Sequence, residues 1–426
     1  MPDTSPRIAV IGAGAAGIAA AYTARDRADV VLFEAGGDPG GHAASYTVEP
    51  GIGADTGFVV FNKPNYPRLS AFFDELGVET VPHSGRFTFF DRARDLVYGS
   101  PELEGDEPPA DPMLAEIFAE SARLATEGRR DFIRGKADVP LRTYLDDHGY
   151  SRTFQAEYIT LLGTAVWSAP PDLIWEMPAS TVIAYFLAHG GSGLGGRGVA
   201  WQTVRGGSRR YVDAAITASG AELRLKTTVA SVAHDADGVL VTCADSGPER
   251  FDGVVVATHG DTARELLRTP SEGQRRVLED LRYSEARIVL HTDTDVLPAD
   301  RERWSSWNYG SAPGQDGPQP YVAWYLNVLQ GFESDTDYVV TMNYPGQIAA
   351  DRVIADVRYR HPIIDLGLRR LQPEIYRLAN TSQVTLAGSY FHSADLGWDV
   401  IGSHEAAHAS GVRAMRHLLG DPPSGS

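Results

Sequence analysis

Apolar and polar positions along the chain fall into two rhythms. Arg7-Ile8-Ala9-Val10-Ile11 is an apolar run after a single charge, fit for a strand buried on both faces. Ile18 to Arg25 is alanine-rich and predicts a helix, and Asp29 to Phe33 predicts a second strand. Residues 36–41, Gly-Gly-Asp-Pro-Gly-Gly, predict a loop. From Pro64 the pattern becomes helical, and over residues 113–190 apolar positions recur at three- and four-residue spacing. Glu102 to Pro112, acidic and proline-rich, reads as a solvated loop. Strands return from Glu222 to Thr258 and again over 286–345. Val384-Thr385-Leu386 predicts one more strand, and Glu405 to Leu419 a last helix. The alternation of strand, turn and helix at the start predicts an α/β fold.

Composition narrows the function classes. At about 150 residues per domain, 426 residues suggest two or three domains, and 43% hydrophobic residues suffice for a large core. The formal charge of −18 argues against nucleic acid and against an anionic membrane surface. With Cys243 as its one cysteine, the chain cannot build a disulfide framework, a zinc cluster or an iron–sulfur site from thiols, and Cys243 reads as a small buried hydrophobe. Ile8 to Ala24 carries no charge, as in a secretory signal, yet it holds three glycines and falls short of the roughly 20 apolar residues of a membrane span. The glycine motif explains the same stretch, so the expected location is cytoplasmic, without integral membrane association. No Ser-His-Asp, Cys-His or metal-ligand spacing stands out.

Gly12, Gly14 and Gly17 form GxGxxG between the first strand and the first helix. The first glycine permits the tight turn, the second lets backbone approach a pyrophosphate, and the third, beside Ala16, lets helix and strand pack closely. The helix start offers free N–H groups to the anion. Glu34, followed by Ala35, ends the second strand, where a carboxylate accepts from ribose hydroxyls. A second GxGxxG, Gly191 to Gly196, lacks a strand–helix unit, because Gly198 to Val204 reads as extended and Asp213 sits in a helical run. It reads as a flexible loop, so the chain is expected to carry one dinucleotide.

Downstream motifs name the dinucleotide. Gly40-Gly41-His42 follows the ribose-binding glutamate; Asp55-Thr56-Gly57-Phe58-Val59, Thr203 to Ser208, Thr228-Val229 and Val254 to Thr258 come next. Ala387-Gly388-Ser389 with Glu405 to Gly411 completes the series. In this order they resemble the flavin amine-oxidase superfamily, which includes carotenoid-type desaturases, and within it bacterial predicted NAD/FAD-binding proteins and flavin-containing amine oxidases. The resemblance implies a monoamine-oxidase-like architecture. A Rossmann-like FAD-binding domain (1–62, 205–285 and 380–426) is interleaved with an α+β substrate-binding domain (63–204 and 286–379). It also implies that Gly41 and His42 pass the FAD phosphates, that Gly57, Phe58 and Val59 lie along the isoalloxazine ring, and that Val229 meets the adenine. Gly388 and Ser389, with Glu405 and Ala406 at the start of the last helix, would then lie under the flavin pyrimidine.

Three departures shape the expected chemistry. The lysine that the family places behind the flavin is missing from Ala286-Arg287-Ile288-Val289-Leu290, and Tyr390 replaces a glutamate near the ribityl chain. Cys243 lies too far from the flavin segments for covalent attachment, so FAD is expected to bind non-covalently, with His42 the one opening for a histidine link. His404 is a candidate acid or base, or else a helix-start histidine bonded to backbone. Tyr390, Phe391, His392 and Trp398 either wall a substrate or pack in the core, and Tyr321, Trp324 and Tyr325 are open to the same two readings. His361-Pro362 has no evident place. Together, the resemblance implies an FAD-dependent oxidase or dehydrogenase. It would take a hydride from a C–N or C–C site of a small organic substrate, with His404 and Tyr390 at the chemistry and O2 as acceptor. A redox-neutral isomerase or cyclase, a desaturase of a lipid or natural-product intermediate, and a flavin carrier without turnover are the alternatives.

Overall fold

The structure is a computed structural model and describes residues 5–83, 85–103, 107–189, 199–314, 317–378, 382–392 and 401–421. The glycine-rich stretch 191–196 and Trp398 lie outside them.

Strand β1 (Arg7–Ile11), helix α1 (Ala15–Thr23) and strand β2 (Asp29–Phe33) form the opening unit. Ala9, Val10 and Leu32 are fully enclosed, as a strand run without alternation requires. The hairpin β3 (Ser45–Glu49) and β4 (Ile52–Asp55) follows, then helix α2 (Pro67–Glu75). Helices fill most of 112–188, ending in α3 (Ala179–Ala188). After α4 (Arg209–Ser219) come β5 (Glu222–Arg224) and β6 (Gly253–Val256). The long strands β7 (Tyr283–His291) and β8 (Val353–Pro362), the short β9 (Val384–Leu386) and helix α5 (His404–Leu418) complete the path to the site.

Two sheets organise these elements. The first is five-stranded and parallel, in the order β5-β2-β1-β6-β9. Its strands fall within 1–62, 205–285 and 380–426. The second has seven strands, running from β8 and β7 through Val339–Met342, Gly317–Tyr325, Trp307–Gly314 and Phe87–Asp91 to Leu96–Gly99. Strand β7 starts at Tyr283, three residues before the expected 286, because Tyr283 already pairs with Pro362 of β8. The predicted loop before Pro112 also gives way, in part, to a short helix, Ser100–Leu103.

Helices α1 and α5 pack together at the first sheet by using small residues. A side chain on Gly411 would collide with the Ala16 carbonyl, and one on Gly17 with the Gly12 carbonyl. Gly12 itself has φ +101°, and a Cβ there would sit 2.8 Å from the Ala257 oxygen. Only glycine makes this turn while β6 lies alongside. Among the described residues no helix is long and apolar enough to cross a membrane.

Candidate active site

The turn between β1 and α1 opens onto a cavity of about 370 Å³. Gly14 is the N-cap of α1 in extended conformation, with no side chain capping the helix and no acidic residue in its first turn. A Cβ on Gly14 would meet nothing within 4 Å. The positive end of α1 therefore faces open space at Gly14. Glu34 stands at the rim, one oxygen accepting from Ala13 N–H at 2.9 Å and the other from Gly36 N–H at 2.7 Å. A carboxylate has about four lone-pair positions, so Glu34 keeps acceptor capacity for hydroxyls. Thr227, Thr228 and Val229 line the same cavity, as do Gly388, Ser389 and the buried Tyr390.

A second cavity of about 290 Å³ meets the first. His42, His361, Gly402, Ser403 and His404 line both. His42 sits 4.9 Å from His361 and 4.4 Å from Tyr359, ring centre to ring centre. These two residues of β8 share one face of the strand, two positions apart. The Tyr359 hydroxyl pairs with Thr56 Oγ1 at 2.7 Å. Burial and the neighbouring imidazoles His361, His259 and His404 hold His42 well below its usual range, and burial with His259 brings His361 down to about 4.

His404 opens α5 at this junction. Its ring stacks on Phe58 at 4.1 Å and its Nε2 is hydrogen-bonded to the Tyr211 hydroxyl. Burial, helped by His408, pushes it down to about 3, so it is neutral at pH 7. Ser403 caps the helix by accepting from Ala406 N–H at 3.0 Å.

Two buried carboxylates brace the site without lining either cavity. Asp55 accepts from Ser45 Oγ, from Ser208 N–H and Oγ, and from Gln330 Nε2, while its own N–H donates to Gln330. Burial nevertheless pushes its carboxyl up to about 7. Glu405 turns away from both cavities and accepts from the N–H groups of Arg68 at 3.1 Å and Leu69 at 2.9 Å, the first turn of α2. Tyr66, the N-cap of α2, supplies no side-chain cap, so Glu405 does so from another helix. Glu405→Ala is expected to lower stability by about 1–3 kcal/mol. An unchanged urea midpoint would show that water replaces the carboxylate.

The residues singled out from the sequence thus separate into groups. Gly12, Gly14, Ala16, Glu34, Ala35, Gly41, Val229, Gly388, Ser389 and Tyr390 line the first cavity alone, and His42 and His404 line both. Gly57, Phe58 and Val59 line the second. Gly17, Glu405 and Ala406 line neither: Gly17 faces the Gly12 carbonyl and Glu405 caps α2. Sequence reasoning missed His259, Tyr283 and Tyr359, and left His361 without a place. The i, i+2 spacing of Tyr359 and His361 in a strand was the available clue.

The profile of the flavin containing amine oxidoreductase family matches residues 15–311. The chain belongs to this family. It is an FAD-dependent oxidoreductase, as the motif series implied. Over 296 residues the enzyme is 27% identical to (S)-6-hydroxynicotine oxidase of Paenarthrobacter nicotinovorans, covering 66% of this chain and 67% of that one. Its fold is shared by a putrescine oxidase bound to putrescine (TM-score 0.70, 15% identity, 97% of this chain and 99% of that one). The cyclohexylamine oxidase of Brevibacterium oxydans is similar to the same degree (0.69, 15%, 98% and 99%). A fatty acid isomerase from P. acnes shares the fold as well (0.64, 13%, 96% and 97%). The α/β expectation, with its parallel sheet and monoamine-oxidase-like plan, holds for this oxidoreductase.

Proposed function

We propose that this oxidoreductase oxidises a small organic molecule at a C–N or C–C site held in the second cavity, with O2 taking up the electrons afterwards. The observation that carries this reading is the meeting of two unlike cavities at His42, His361 and His404. One is walled by a helix N-terminus and a ribose-ready carboxylate, the other by aromatic rings. The five-stranded sheet and segments 1–62, 205–285 and 380–426 would carry the cofactor, and 63–204 with 286–379 the substrate.

The residues of the first cavity fit FAD. Gly14 leaves room that any side chain would fill, and the backbone N–H groups at the start of α1 would hold the pyrophosphate. Glu34 would accept from the adenosine ribose, Thr228 and Val229 would border the adenine, and Tyr390 would stand beside the ribityl chain. Bound FAD supplies the acceptor for the hydride that leaves the substrate. Gly57, Phe58 and Val59 would set the substrate against that acceptor and exclude water. With its Nε2 held by the Tyr211 hydroxyl, His404 would serve as a neutral group fixed at the reacting end rather than as a cation.

The purified protein is expected to be yellow, and acid precipitation should release intact FAD. Anaerobic bleaching by an amine, with oxygen uptake once air is admitted, is the expected outcome for an oxidase. A substrate converted without net bleaching or oxygen uptake would replace the oxidase reading with that of an isomerase. A pellet that stays yellow would show a covalent link at His42.

A further inference from the structure

The second cavity is rich in rings, among them Phe58, Tyr66, Trp167, Tyr185, Trp307 and Trp324. Among the described residues that line it there is no Asp, Glu, Lys or Arg. Its four imidazoles are uncharged at pH 7, because burial pushes His189 and His361 down to about 4, His404 to about 3 and His42 well below its usual value. His189 is further fixed as neutral: its Nδ1 meets the Tyr185 carbonyl, so its Nε2 accepts from the amides of Asn62 and Asn65.

Charged residues beside the lining in sequence are committed elsewhere. Asp55, next to Thr56, is enclosed by Ser45, Ser208 and Gln330. Glu405, next to His404, caps α2. Arg360, between Tyr359 and His361, reaches out to Asp261. An ion entering this chamber would give up its hydration and find no counter-charge among the described residues that line it, and ring faces replace only part of what water supplied to a cation.

Resting on the reading that the second cavity receives the substrate, we propose that the substrate docks as an uncharged, apolar, ring-sized molecule and not as an ammonium or a carboxylate. An amine would enter only as its free base. This separates the enzyme from one built for a diammonium such as the putrescine seen in its structural neighbour.

Calorimetric titration of the purified protein with three naphthalenes of one shape tests the proposal: 2-naphthol, 2-naphthylmethylamine and 2-naphthoate. At pH 7 the neutral naphthol is expected to bind about tenfold or more tightly than either ion. Between pH 7 and 9 the apparent affinity for the amine should rise by about tenfold per unit, as its free base accumulates. Val166, on the wall of this cavity, provides the second measurement. Val166→Asp should favour the ammonium over naphthol, whereas Val166→Asn, alike in shape, should keep the wild-type order. An ammonium that binds wild type as tightly as naphthol at pH 7, with no rise toward pH 9, overturns the proposal; so does identical ranking by the Asp and Asn variants. Calorimetry needs no flavin colour. A colourless protein that prefers naphthol counts against the cofactor reading alone, and a yellow one that prefers the ammonium counts against the substrate class alone.

Discussion

Lowered from pH 7 to pH 5, the protein is expected to lose most of its stability. Six histidines are held neutral by burial: His83, His189, His291, His361 and His408 at about 4, and His404 at about 3. Hydrogen bonds agree with the neutral form, since His83 Nδ1 accepts from Gly85 N–H and His291 Nδ1 from Asp293 N–H, both at 3.1 Å. Unfolded, each would titrate near 6.5. Between roughly pH 4 and 6.5 the unfolded chain therefore binds more protons than the folded one, and stability falls as pH drops through that window. Each group contributes about 2 kcal/mol at pH 5 by this linkage. Six together rival the whole stability of a typical domain, about 5–15 kcal/mol. Asp55 works in the opposite sense, because its folded value near 7 favours the protonated folded state, and it offsets about one imidazole. Urea unfolding followed by circular dichroism at pH 7, 6 and 5 measures the effect. A midpoint that does not move would mean that water reaches these rings.

Substitutions at two glycines should part flavin binding from folding. Gly14→Val places its branches in open space, so the far-ultraviolet spectrum and the melting profile should stay near wild type. The same branches occupy the room for a pyrophosphate, and FAD affinity should fall by about a hundredfold or more. At Gly411 the situation is reversed. A valine there meets the Ala16 carbonyl and pushes α5 off α1, so stability itself should drop by about 3 kcal/mol or more, with flavin lost as a result. Flavin content and melting temperature, read on the same preparations, separate the two. A Gly14→Val protein with full flavin occupancy would move the phosphate site elsewhere.

The contrast between these glycines also marks what a sequence discloses. Gly12, Gly14, Gly17 and Glu34 are legible because one short segment carries strand, turn, helix and carboxylate, and the spacing follows from local geometry. Val384–Leu386 and the last helix are legible from their hydrophobic runs. Their neighbours are not. Trp307 faces Trp324 across two antiparallel strands, and Phe87 pairs beside Trp307 in parallel. That register depends on the tertiary fold, so the aromatic wall of the second cavity stays hidden. For His361 the sequence offers only its i, i+2 spacing with Tyr359; it matters because β8 pairs with β7 and carries it to His42. Glu405 carries a contact that no local pattern announces. Its place at a helix start predicts a part in holding the cofactor, and its carboxylate also answers the orphan N–H groups of a helix more than 300 residues earlier.

The strand order of the parallel sheet has a consequence for synthesis. β1 lies between β2 and β6, and β6 in turn needs β9 on its far side. A nascent chain that has released β1, α1 and β2 thus holds an incomplete sheet until residues near 254 and then 384 emerge. At about 5–20 residues per second that wait lasts tens of seconds. During it the edge of β1 offers unpaired backbone to any extended segment nearby. Refolding from denaturant is therefore expected to be slow and concentration-sensitive, improving on dilution, since closure over such sequence distances competes with association between chains.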